Sequence, residues 1–594
     1  MCRPTKALPL SILYLASAVL YLSRLYRRLL VVKAYSLPKA HAASKSAVLV
    51  LSAFSVLCLP PLSNAAPAGV EFSQSVTSIE AYDYVEITAK IDRPDAANPF
   101  EDASLSGTFQ AKDGSKSWNI NGFCDSADGS IFRIRFMPAM PGDYTYSVAY
   151  HQGSFQKSSS GTFHVTDGHR RGLIADDPKY PWHFIWTGTG EHYFFNGTTA
   201  YWLVGFNDDH QIQYSIDRLH RLEVNRMRVT LAGRGATSFY GERAMIGPSW
   251  TPLIAVWPAK DAGDPTHPRF DYSRFNVPYW QKFDRMLRYA RHDDMIISVV
   301  LDMNDSKVHP AAGSEDEHRF IRYAINRLSA FPNITWDLGD DLDSYRDVAW
   351  THATGMMIYN LDPYKHLATS HPAHSNAHQD RAAPWFGFTS YQEWSRKQHA
   401  LMLESRKLQE ETGRIIPQTN EEYGYEDHYP RWGAPGSDSA DVLRRTAWDI
   451  AMAGAYQTTG ETVREGTNIW PDMGGGWLNG RGDDTMTMLV GYKHMVDFFT
   501  SFQWWKANPH DELVSNGDYC LADPGKTYVV YLPHGGQTIV QLLKGDYTAY
   551  LYSAVTGEKI DLPDVHDTPW TSPPPPERNG LPDTNDWAIL LRAK

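Results

Sequence analysis

The sequence is poor in cysteine. Its four cysteines are Cys2, Cys58, Cys124 and Cys520, of which the first two belong to the N-terminal leader region. The other two lie near opposite ends of the remaining chain, and no pair has the Cys-x-x-Cys spacing of a metal site. The sequence therefore excludes a disulfide framework and a cysteine-based metal centre.

A surplus of basic residues is also missing. The net charge is −12 at pH 7, whereas general affinity for nucleic acid needs a basic surface. No Gly-x-Gly-x-x-Gly motif follows a first strand, and the glycine-rich stretch 470–477 lacks the Lys-Ser/Thr of a phosphate loop. We therefore expect no nucleic acid partner and no nucleotide cofactor.

Aromatic side chains, in contrast, are abundant. The 594 residues include 19 tryptophans and 33 tyrosines, and 42% of all residues are hydrophobic. This length predicts about two to four folded domains. Sugar rings have apolar faces that stack on aromatic side chains, so the composition suits a carbohydrate-binding protein. Large barrels, however, also use tryptophan and tyrosine as core residues.

Residues 1–66 are expected to be a leader. An apolar run at 47–58 follows Lys39 and Lys45, and the small residues at 63–65 predict cleavage just before Ala66. The protein is therefore expected to be exported to the periplasm, the cell surface or the extracellular space. An earlier apolar stretch, 8–22, is either a membrane anchor or leader upstream of the true start. Its short length favours the second interpretation.

The rest of the chain divides into three predicted domains. Short alternating segments separated by turn residues predict an Ig-like β-sandwich at 70–166. Apolar strands alternate with amphipathic helices over 169–505, which predicts a (β/α)8 TIM barrel rather than an open doubly wound sheet. A small C-terminal β domain is predicted at 511–594. The predicted barrel strands are 200–206, 226–231, 295–302, 334–339, 366–370, 387–391, 415–420 and 454–459.

Acidic residues follow the fourth and seventh of these strands. They are Asp337, Asp340, Asp341, Asp343, Glu421, Glu422 and Glu426. Strands four and seven face one another across the mouth of a barrel, where working residues lie. Glycoside hydrolysis needs two carboxyl groups, and clustering with partial burial raises the pKa of the one that must carry a proton. The alternative is that these acids cap helices or form salt bridges.

The same segments resemble a known clan. The fourth strand is similar to the Trp-x-Leu-Gly-Asn-Glu signature of cellulase-like retaining TIM-barrel glycosidases, and 422–424 resembles the clan's Glu-Phe-Gly nucleophile motif. The closer resemblance is to apiosidase-like glycoside hydrolases, through the first-strand phrase 195–202 and Glu426, four residues after the nucleophile. Segments within 121–144 resemble the β-sandwich that precedes such barrels, and 531–536 resembles a β domain named for collagen binding.

The resemblance implies roles for individual residues. Glu422 matches the nucleophile, Asp341 the acid/base, and Asp340 an asparagine that contacts the substrate 2-hydroxyl. Arg228 matches an arginine that lies beside the nucleophile, and Tyr391 matches a tyrosine that hydrogen-bonds it.

The match departs from the clan at the acid. The usual Asn-Glu pair is Asp-Asp here, so Asp340, Asp337 and Asp343 remain alternatives to Asp341. Alternation along a strand puts Asp337 and Asp341 on one face and Asp340 on the other, unless a bulge breaks that parity.

A further group of residues is expected to contact the substrate. Its members are His371, Trp202, Trp470 and Trp477. Asp302, after the third strand, is either a ligand of sugar hydroxyls or a helix cap. A metal site formed by His371, His374 and His378 is the less favoured interpretation of the histidines after strand five, and no metal or other cofactor is expected.

The expected function is that of a retaining glycoside hydrolase acting on a plant or algal polysaccharide or oligosaccharide. One alternative is a non-catalytic carbohydrate- or matrix-binding surface protein, and another is a metal-dependent hydrolase. The expected partner is a carbohydrate, and no membrane contact is expected unless the stretch 8–22 is an anchor. The exact sugar, exo or endo action and the oligomeric state stay open.

Overall fold

A computed structural model describes residues 67, 69–231, 250, 256–260, 269–303, 308–374, 376–426, 439–461, 476–482, 487–566, 568–578 and 580–594. The predicted leader 1–66, with its cleavage site and apolar stretches, lies outside these residues. Within the described ranges, no helix combines the length and apolarity needed to span a bilayer.

The N-terminal part consists of two packed β-sheets. One contains, in spatial order, Gly69–Gln74, Val85–Asp92, Ile131–Phe136 and Phe123–Cys124. The other contains Ser78–Glu80, Phe155–Thr166, Gly142–Gln152, Ala103–Ala111 and Ser117–Asn121. In Val85–Asp92 every second side chain is buried, and across the core Phe109 stacks on Phe136 at 4.6 Å. The alternating pattern thus gives a β-sandwich, as predicted.

Eight parallel strands form the central barrel. In chain order they are Asn196–Thr199, Arg226–Thr230, Ile296–Val300, Ile334–Asp337, Ala368–Thr369, Thr389–Gln392, Gln418–Glu422 and Tyr456–Glu461. The first pairs with the eighth, which closes that side. Between the fifth and sixth strands, Ala368 forms an isolated bridge with Phe386. The predicted TIM barrel between two β regions is therefore confirmed.

The first barrel strand was placed too late in the prediction. The strand is Asn196–Thr199, and the predicted segment 200–206 contains instead the 3₁₀ turn Leu203–Gly205. Leu203, Val204 and Gly205 are all buried. A short apolar run cannot distinguish a buried strand from a buried helical turn, which explains the error.

Helices cover the outside of the barrel. The α-helices are Asp209–Arg221, Val277–His292, Glu315–Leu328, Val348–Leu361, Gln398–Thr412, Ala440–Met452, Gly476–Asn479 and Met488–Thr500. Short 3₁₀ turns lie at Leu203–Gly205, Leu342–Ser344, Asn376–His378, Trp504–Lys506 and Asp511–Leu513. Ser314 and Ser439 begin two of the helices by accepting a hydrogen bond from a backbone N–H of the first turn.

Two further groups of strands flank the barrel. Ile174–Asp176, Phe184–Trp186 and His192–Tyr193 form a small antiparallel sheet, from which Phe184 stacks on Phe195 just before the first barrel strand. The C-terminal sheet contains, in spatial order, Asn508–Pro509, Tyr519–Asp523, Thr527–Leu532, Trp587–Ala593, Tyr547–Ser553 and Lys559–Val565. Ile539–Val540 pairs with Trp570–Thr571, and Tyr425–Glu426 pairs with the eighth barrel strand.

A buried ion network joins the β-sandwich to the barrel. Arg135 of the sandwich donates to Asp284 of helix Val277–His292 at 2.8 Å, and Arg327 of the next helix donates to the same carboxylate at 2.9 Å. Arg327 also donates back to Asp125 of the sandwich at 2.8 Å. The two parts therefore share buried ion pairs across their junction.

Candidate active site

The carboxyl ends of the barrel strands open into a cavity of about 780 Å³. Asp340 and Asp341, after the fourth strand, line this cavity together with Glu422 at the end of the seventh. Tyr201 and Tyr425 also line it. The structure thus brings together the two acidic motifs on which the sequence prediction rests, although they are about 80 positions apart in the chain.

Tyr201 connects the two sides of this acidic site. Its hydroxyl lies 3.0 Å from Asp340 Oδ1 and 3.2 Å from Glu422 Oε2, and it accepts a hydrogen bond from Arg228 at 2.9 Å. Burial raises the pKa of Tyr201 well above its ordinary value, so the hydroxyl keeps its proton as a donor. The two carboxylates are close as well: one ligand oxygen of each lies within 4.8 Å of the other.

Arg228 reaches the nucleophile candidate only indirectly. Its guanidinium is fully buried and donates to Asp340 Oδ1 at 2.8 Å and to Asp337 Oδ2 at 3.1 Å. Its link to Glu422 runs through the Tyr201 hydroxyl. The position expected for Arg228, directly beside Glu422, is therefore corrected: the arginine holds the fourth-strand acids.

Glu421, the neighbour of Glu422, points into a buried ion pair. It contacts Arg226, and Ser390 donates to its Oε2 at 2.7 Å. Burial acts to raise the pKa of Glu421, but Arg226 and Arg228 outweigh it, so this pKa lies below its ordinary value. Successive residues of a strand face opposite ways, and here one acid supports the barrel while the next faces the cavity.

Gln392, rather than Tyr391, holds Glu422. The amide of Gln392 donates to Glu422 Oε1 at 2.9 Å, whereas the Tyr391 hydroxyl contacts Arg381 and lies 2.6 Å from Ser405 Oγ. The pairing of strands six and seven shifts register between Tyr391 and Gln392. This irregularity exchanges the two side chains, so the predicted Tyr391 hydrogen bond to the nucleophile is wrong. Tyr391 still lines the cavity.

The candidates for the acid narrow to two. Asp337 is fully buried beside Arg228, and burial raises its pKa, partly opposed by that arginine. Asp343 accepts from the backbone N–H groups of Ala373 and His374 at 2.7 and 2.9 Å, so it fixes a loop. Because both of these side chains serve other contacts, Asp340 and Asp341 remain as the candidates for the acid.

Asp341 leaves the strand in an unusual conformation. Its φ of 51° and ψ of 37° are left-handed, a region that aspartate tolerates better than most residues. The turn that follows begins the 3₁₀ segment Leu342–Ser344. Asp341 is half-buried and lines the cavity, whereas the side chain of Asp340 is only 9% exposed.

The histidines after strand five do not converge. His371 is fully buried, with Nε2 3.6 Å from Asp340 Oδ1 and 3.7 Å from Glu422 Oε2. His374 is exposed, and His378 Nδ1 lies 2.8 Å from the Thr351 hydroxyl. Among the described residues, the loop histidines therefore build no joint metal site, and the group that could is Asp340, His371 and Glu422.

The predicted tryptophan wall lies mostly outside the described residues. This is true of Trp470 and of the Trp477 side chain. Trp202 is 3% exposed and supports the loops: its backbone N–H donates to Leu478, and its carbonyl accepts from Trp250. Among the described tryptophans, Trp394 lines the cavity instead. Its position after strand six was the signal that the sequence analysis missed.

Glu426 has a structural role. It is fully buried, and its two carboxylate oxygens accept from the backbone N–H groups of Thr487 and Met488 at 3.1 and 3.3 Å. It thereby caps the start of helix Met488–Thr500, where unpaired N–H groups favour a negative charge.

Asp302 is buried and does not belong to the described lining of the main cavity. It accepts from Met303 N at 2.9 Å and from Arg346 at 3.3 Å. Burial raises its pKa to about 8, although Arg346 acts in the opposite direction. The expectation that Asp302 binds sugar hydroxyls is therefore not supported by its position.

Asp302 should make stability depend on pH. Its folded-state pKa lies above the unfolded value of about 4, so its contribution is present at low pH and is lost as the pH rises toward 8. We expect Asp302→Asn to gain stability relative to the wild type by up to about 1.4 kcal/mol per pH unit in that window. Urea unfolding at pH 5.5 and pH 8 measures this gain. An equal difference between the two proteins at both pH values would contradict it.

Comparison with known proteins decides the family of the barrel. Residues 183–462 match the sequence model of the apiosidase-like catalytic domain. The barrel is apiosidase-like. Residues 78–151 of the β-sandwich match a domain of unknown function called DUF5060. The resemblance predicted from the motifs is thereby confirmed for the barrel, whereas the resemblance of the C-terminal strands to a collagen-binding domain stays a prediction.

Solved structures share the fold of this protein. A crystal structure from Bacteroides vulgatus ATCC 8482, described provisionally as a glycoside hydrolase, has a TM-score of 0.72 and 19% identity. It covers 87% of this chain and 100% of its own. A glycoside hydrolase family 5 structure from the same organism has a TM-score of 0.55 and 15% identity over 71% of this chain and 93% of its own. No curated protein matches the sequence. The family match and the shared fold support a glycoside hydrolase as the class of this protein.

Proposed function

We propose that this apiosidase-like protein is a retaining glycosidase that acts on a plant or algal polysaccharide or oligosaccharide. The observation that carries the proposal is the meeting of Glu422 with Asp340 and Asp341 at one cavity. Retaining enzymes use two carboxyl groups about 5–5.5 Å apart at such a cavity, and Glu422 with Asp341 is the proposed pair.

Glu422 is proposed as the nucleophile. Gln392 donates to one of its oxygens at 2.9 Å, and the Tyr201 hydroxyl lies 3.2 Å from the other. These contacts fix the orientation of the carboxylate, as attack on the anomeric carbon requires. The attack forms a covalent glycosyl-enzyme and breaks the bond to the leaving oxygen, which must receive a proton from the acid.

Asp341 is proposed as the acid/base. Asp340 accepts a hydrogen bond from Arg228 and is only 9% exposed, whereas Asp341 is half-buried and faces the cavity from which the leaving group departs. Because Arg228 fixes its orientation, Asp340 is suited to accept a hydrogen bond from a sugar hydroxyl group at the reaction centre. Asp341 then protonates the leaving oxygen and, in the second step, removes a proton from the attacking water.

In the alternative interpretation, a non-catalytic binding protein, the two acidic motifs would lie far apart or be engaged in salt bridges. Asp337 and Glu421 do form buried salt bridges. Glu422 and Asp341, however, face the cavity. This arrangement favours an enzyme. The proposed mechanism uses two carboxyl groups and requires neither a metal ion nor another cofactor.

The substrate class is tested by product release. Protein lacking the residues before Ala66, as expected for an exported form, is incubated with a panel of plant and algal polysaccharides. Sugar release by the wild type supports the proposal and identifies the substrate. Binding to one polysaccharide without release, by the wild type and Glu422→Gln alike, would favour the binding protein.

The acid is identified by azide rescue. For Asp341→Ala we expect a loss of about 10²–10⁴-fold on the polysaccharide substrate, because the leaving oxygen goes unprotonated. Aryl glycosides with good leaving groups should lose much less in the first step. Azide should then accelerate turnover and give a glycosyl azide of retained configuration, because it attacks the glycosyl-enzyme without needing a base.

Asp340→Ala is the matched control for that experiment. It removes a charge one position away and should lose activity on both substrates, with no acceleration by azide. Rescue of the Asp340 variant alone would transfer the acid role to Asp340. An azide product of inverted configuration from the Asp341 variant would contradict the retaining mechanism.

A further inference from the structure

His371 presents one ring nitrogen to two carboxylates. Its Nε2 is fully buried and makes no hydrogen bond within the described structure, although Asp340 Oδ1 and Glu422 Oε2 lie 3.6 and 3.7 Å away. A buried polar atom without a hydrogen bond calls for a physical explanation. The charges and distances of these three groups indicate what can bind between them.

Ser390 determines which ring nitrogen of His371 carries the proton. The Ser390 hydroxyl has one hydrogen, which it donates to Glu421 Oε2 at 2.7 Å. The same oxygen lies 2.8 Å from His371 Nδ1 and must therefore accept a hydrogen bond from it. In the neutral ring the proton is on Nδ1, and the Nε2 lone pair faces the two carboxylate oxygens.

Three electron-rich atoms facing one another repel unless a cation lies between them. The surrounding charges add to this demand. Among the described residues, the carboxyl groups of Asp337, Asp340, Glu421 and Glu422 are packed around two buried guanidinium groups, those of Arg226 and Arg228. The site therefore has an excess of acidic over basic groups in a region of low dielectric.

The geometry suits a zinc-like ion. With metal–ligand bonds of about 2.0–2.2 Å, a tetrahedral site places its ligand atoms about 3.3–3.6 Å apart. The histidine nitrogen is within about 0.4 Å of that spacing from both carboxylates, and the ligand atoms of all three residues lie within 4.8 Å of one another. A His with two carboxylates is a donor set for zinc and its neighbours rather than for magnesium or calcium.

We propose that Asp340, His371 and Glu422 bind a divalent transition-metal ion of the zinc class, with the fourth coordination position open to the cavity. Ser390 is the supporting residue, because its hydrogen bond fixes the ring of His371 with the lone pair toward the ion. The ion is an inhibitor rather than a cofactor, since it occupies the carboxylate that attacks the sugar.

Direct metal binding tests this proposal without reference to glycosidase activity. Untagged protein lacking the residues before Ala66 is titrated with Zn²⁺ by calorimetry and with Co²⁺ by visible absorption. We expect one site of defined stoichiometry and the intense absorption of four-coordinate cobalt. Failure to bind, or a spectrum of six-coordinate cobalt only, would overturn the proposal.

Variants locate the ion. Glu422→Gln changes the fold least and should weaken Zn²⁺ binding at least tenfold, as should His371→Asn. Ser390→Ala should weaken it about 10–100-fold through the histidine ring. His374→Asn, in the exposed loop, should bind as the wild type does. Loss of binding in the His374 variant, or full binding by both ligand variants, would place the ion elsewhere and refute the assignment.

Activity gives a second readout that separates this proposal from the proposed function. A glycosidase should be inhibited by Zn²⁺ in competition with substrate, and a chelator should restore its activity. If the protein binds Zn²⁺ with the expected variant pattern but releases no sugar, the proposed metal site stands and the proposed function fails. If it releases sugar but binds no Zn²⁺, the proposed function stands and the proposed metal site fails.

Discussion

Replacing Glu422 by glutamine is expected to lower kcat/KM by about 10⁴-fold or more, because loss of a nucleophile removes the covalent step itself. Glutamine has the same shape and can still contact Tyr201 and Gln392, whose groups lie 3.2 and 2.9 Å from the carboxylate. The free energy of unfolding should therefore change by less than about 1 kcal/mol. The measurement is sugar release under matched conditions, together with urea unfolding of both proteins.

Glu421→Gln is the control that makes this result specific. It is the same change one residue earlier in the same strand, but Glu421 is paired with the fully buried Arg226. Removing its charge leaves an uncompensated buried cation, and we expect a loss of about 3–5 kcal/mol in stability. Near-normal activity of Glu422→Gln would exclude Glu422 as the nucleophile. Equal activity losses in the two folded variants would show that the assay reports general damage.

The arrangement of the strands was predictable because it rests on repeating patterns. Alternation in Val85–Asp92 and apolar runs such as Ile296–Val300 indicate their own burial, and chain order in a parallel barrel then determines which strand ends meet. This reasoning placed Glu422 and the fourth-strand aspartates at one cavity. The prediction of the first strand was wrong because the apolar residues of 200–206 form a buried turn rather than a strand.

The contacts within the site were less predictable. Whether Tyr391 or Gln392 reaches Glu422 depends on a register shift between two strands, and no local pattern encodes such a shift. The hydroxyl of Tyr201 was missed for a related reason. The sequence analysis selected the adjacent Trp202 as the sugar-binding aromatic residue, and the two face different surroundings at the end of the first strand.

A second large effect is expected at the junction between the β-sandwich and the barrel. Three arginines and three acids form its buried network: Arg133, Arg135, Arg327, Glu86, Asp125 and Asp284. Asp284 is its central acid, because Arg135 and Arg327 both donate to it. Burial acts to raise the pKa of Asp284, but these two arginines lower it below its ordinary value.

Asp284→Asn should therefore cost about 3–5 kcal/mol in the free energy of unfolding at pH 7, since two buried arginines lose a shared counter-charge. The lowered pKa means that the wild-type advantage is present above the ordinary aspartate pKa of about 4 and is lost as the pH falls below it. Urea unfolding at pH 7 and at the lowest pH the fold tolerates measures both effects.

The exposed pair of Lys493 and Asp497 provides the matched control. Its side chains are 35% and 45% exposed and lie 3.2 Å apart, so Asp497→Asn should cost less than about 1 kcal/mol. A cost for Asp284→Asn no larger than this control would show that the sandwich is held by apolar packing alone. The expected larger cost would show that the buried ion pairs of Asp284 with Arg135 and Arg327 contribute to the stability of the junction and of the barrel helices.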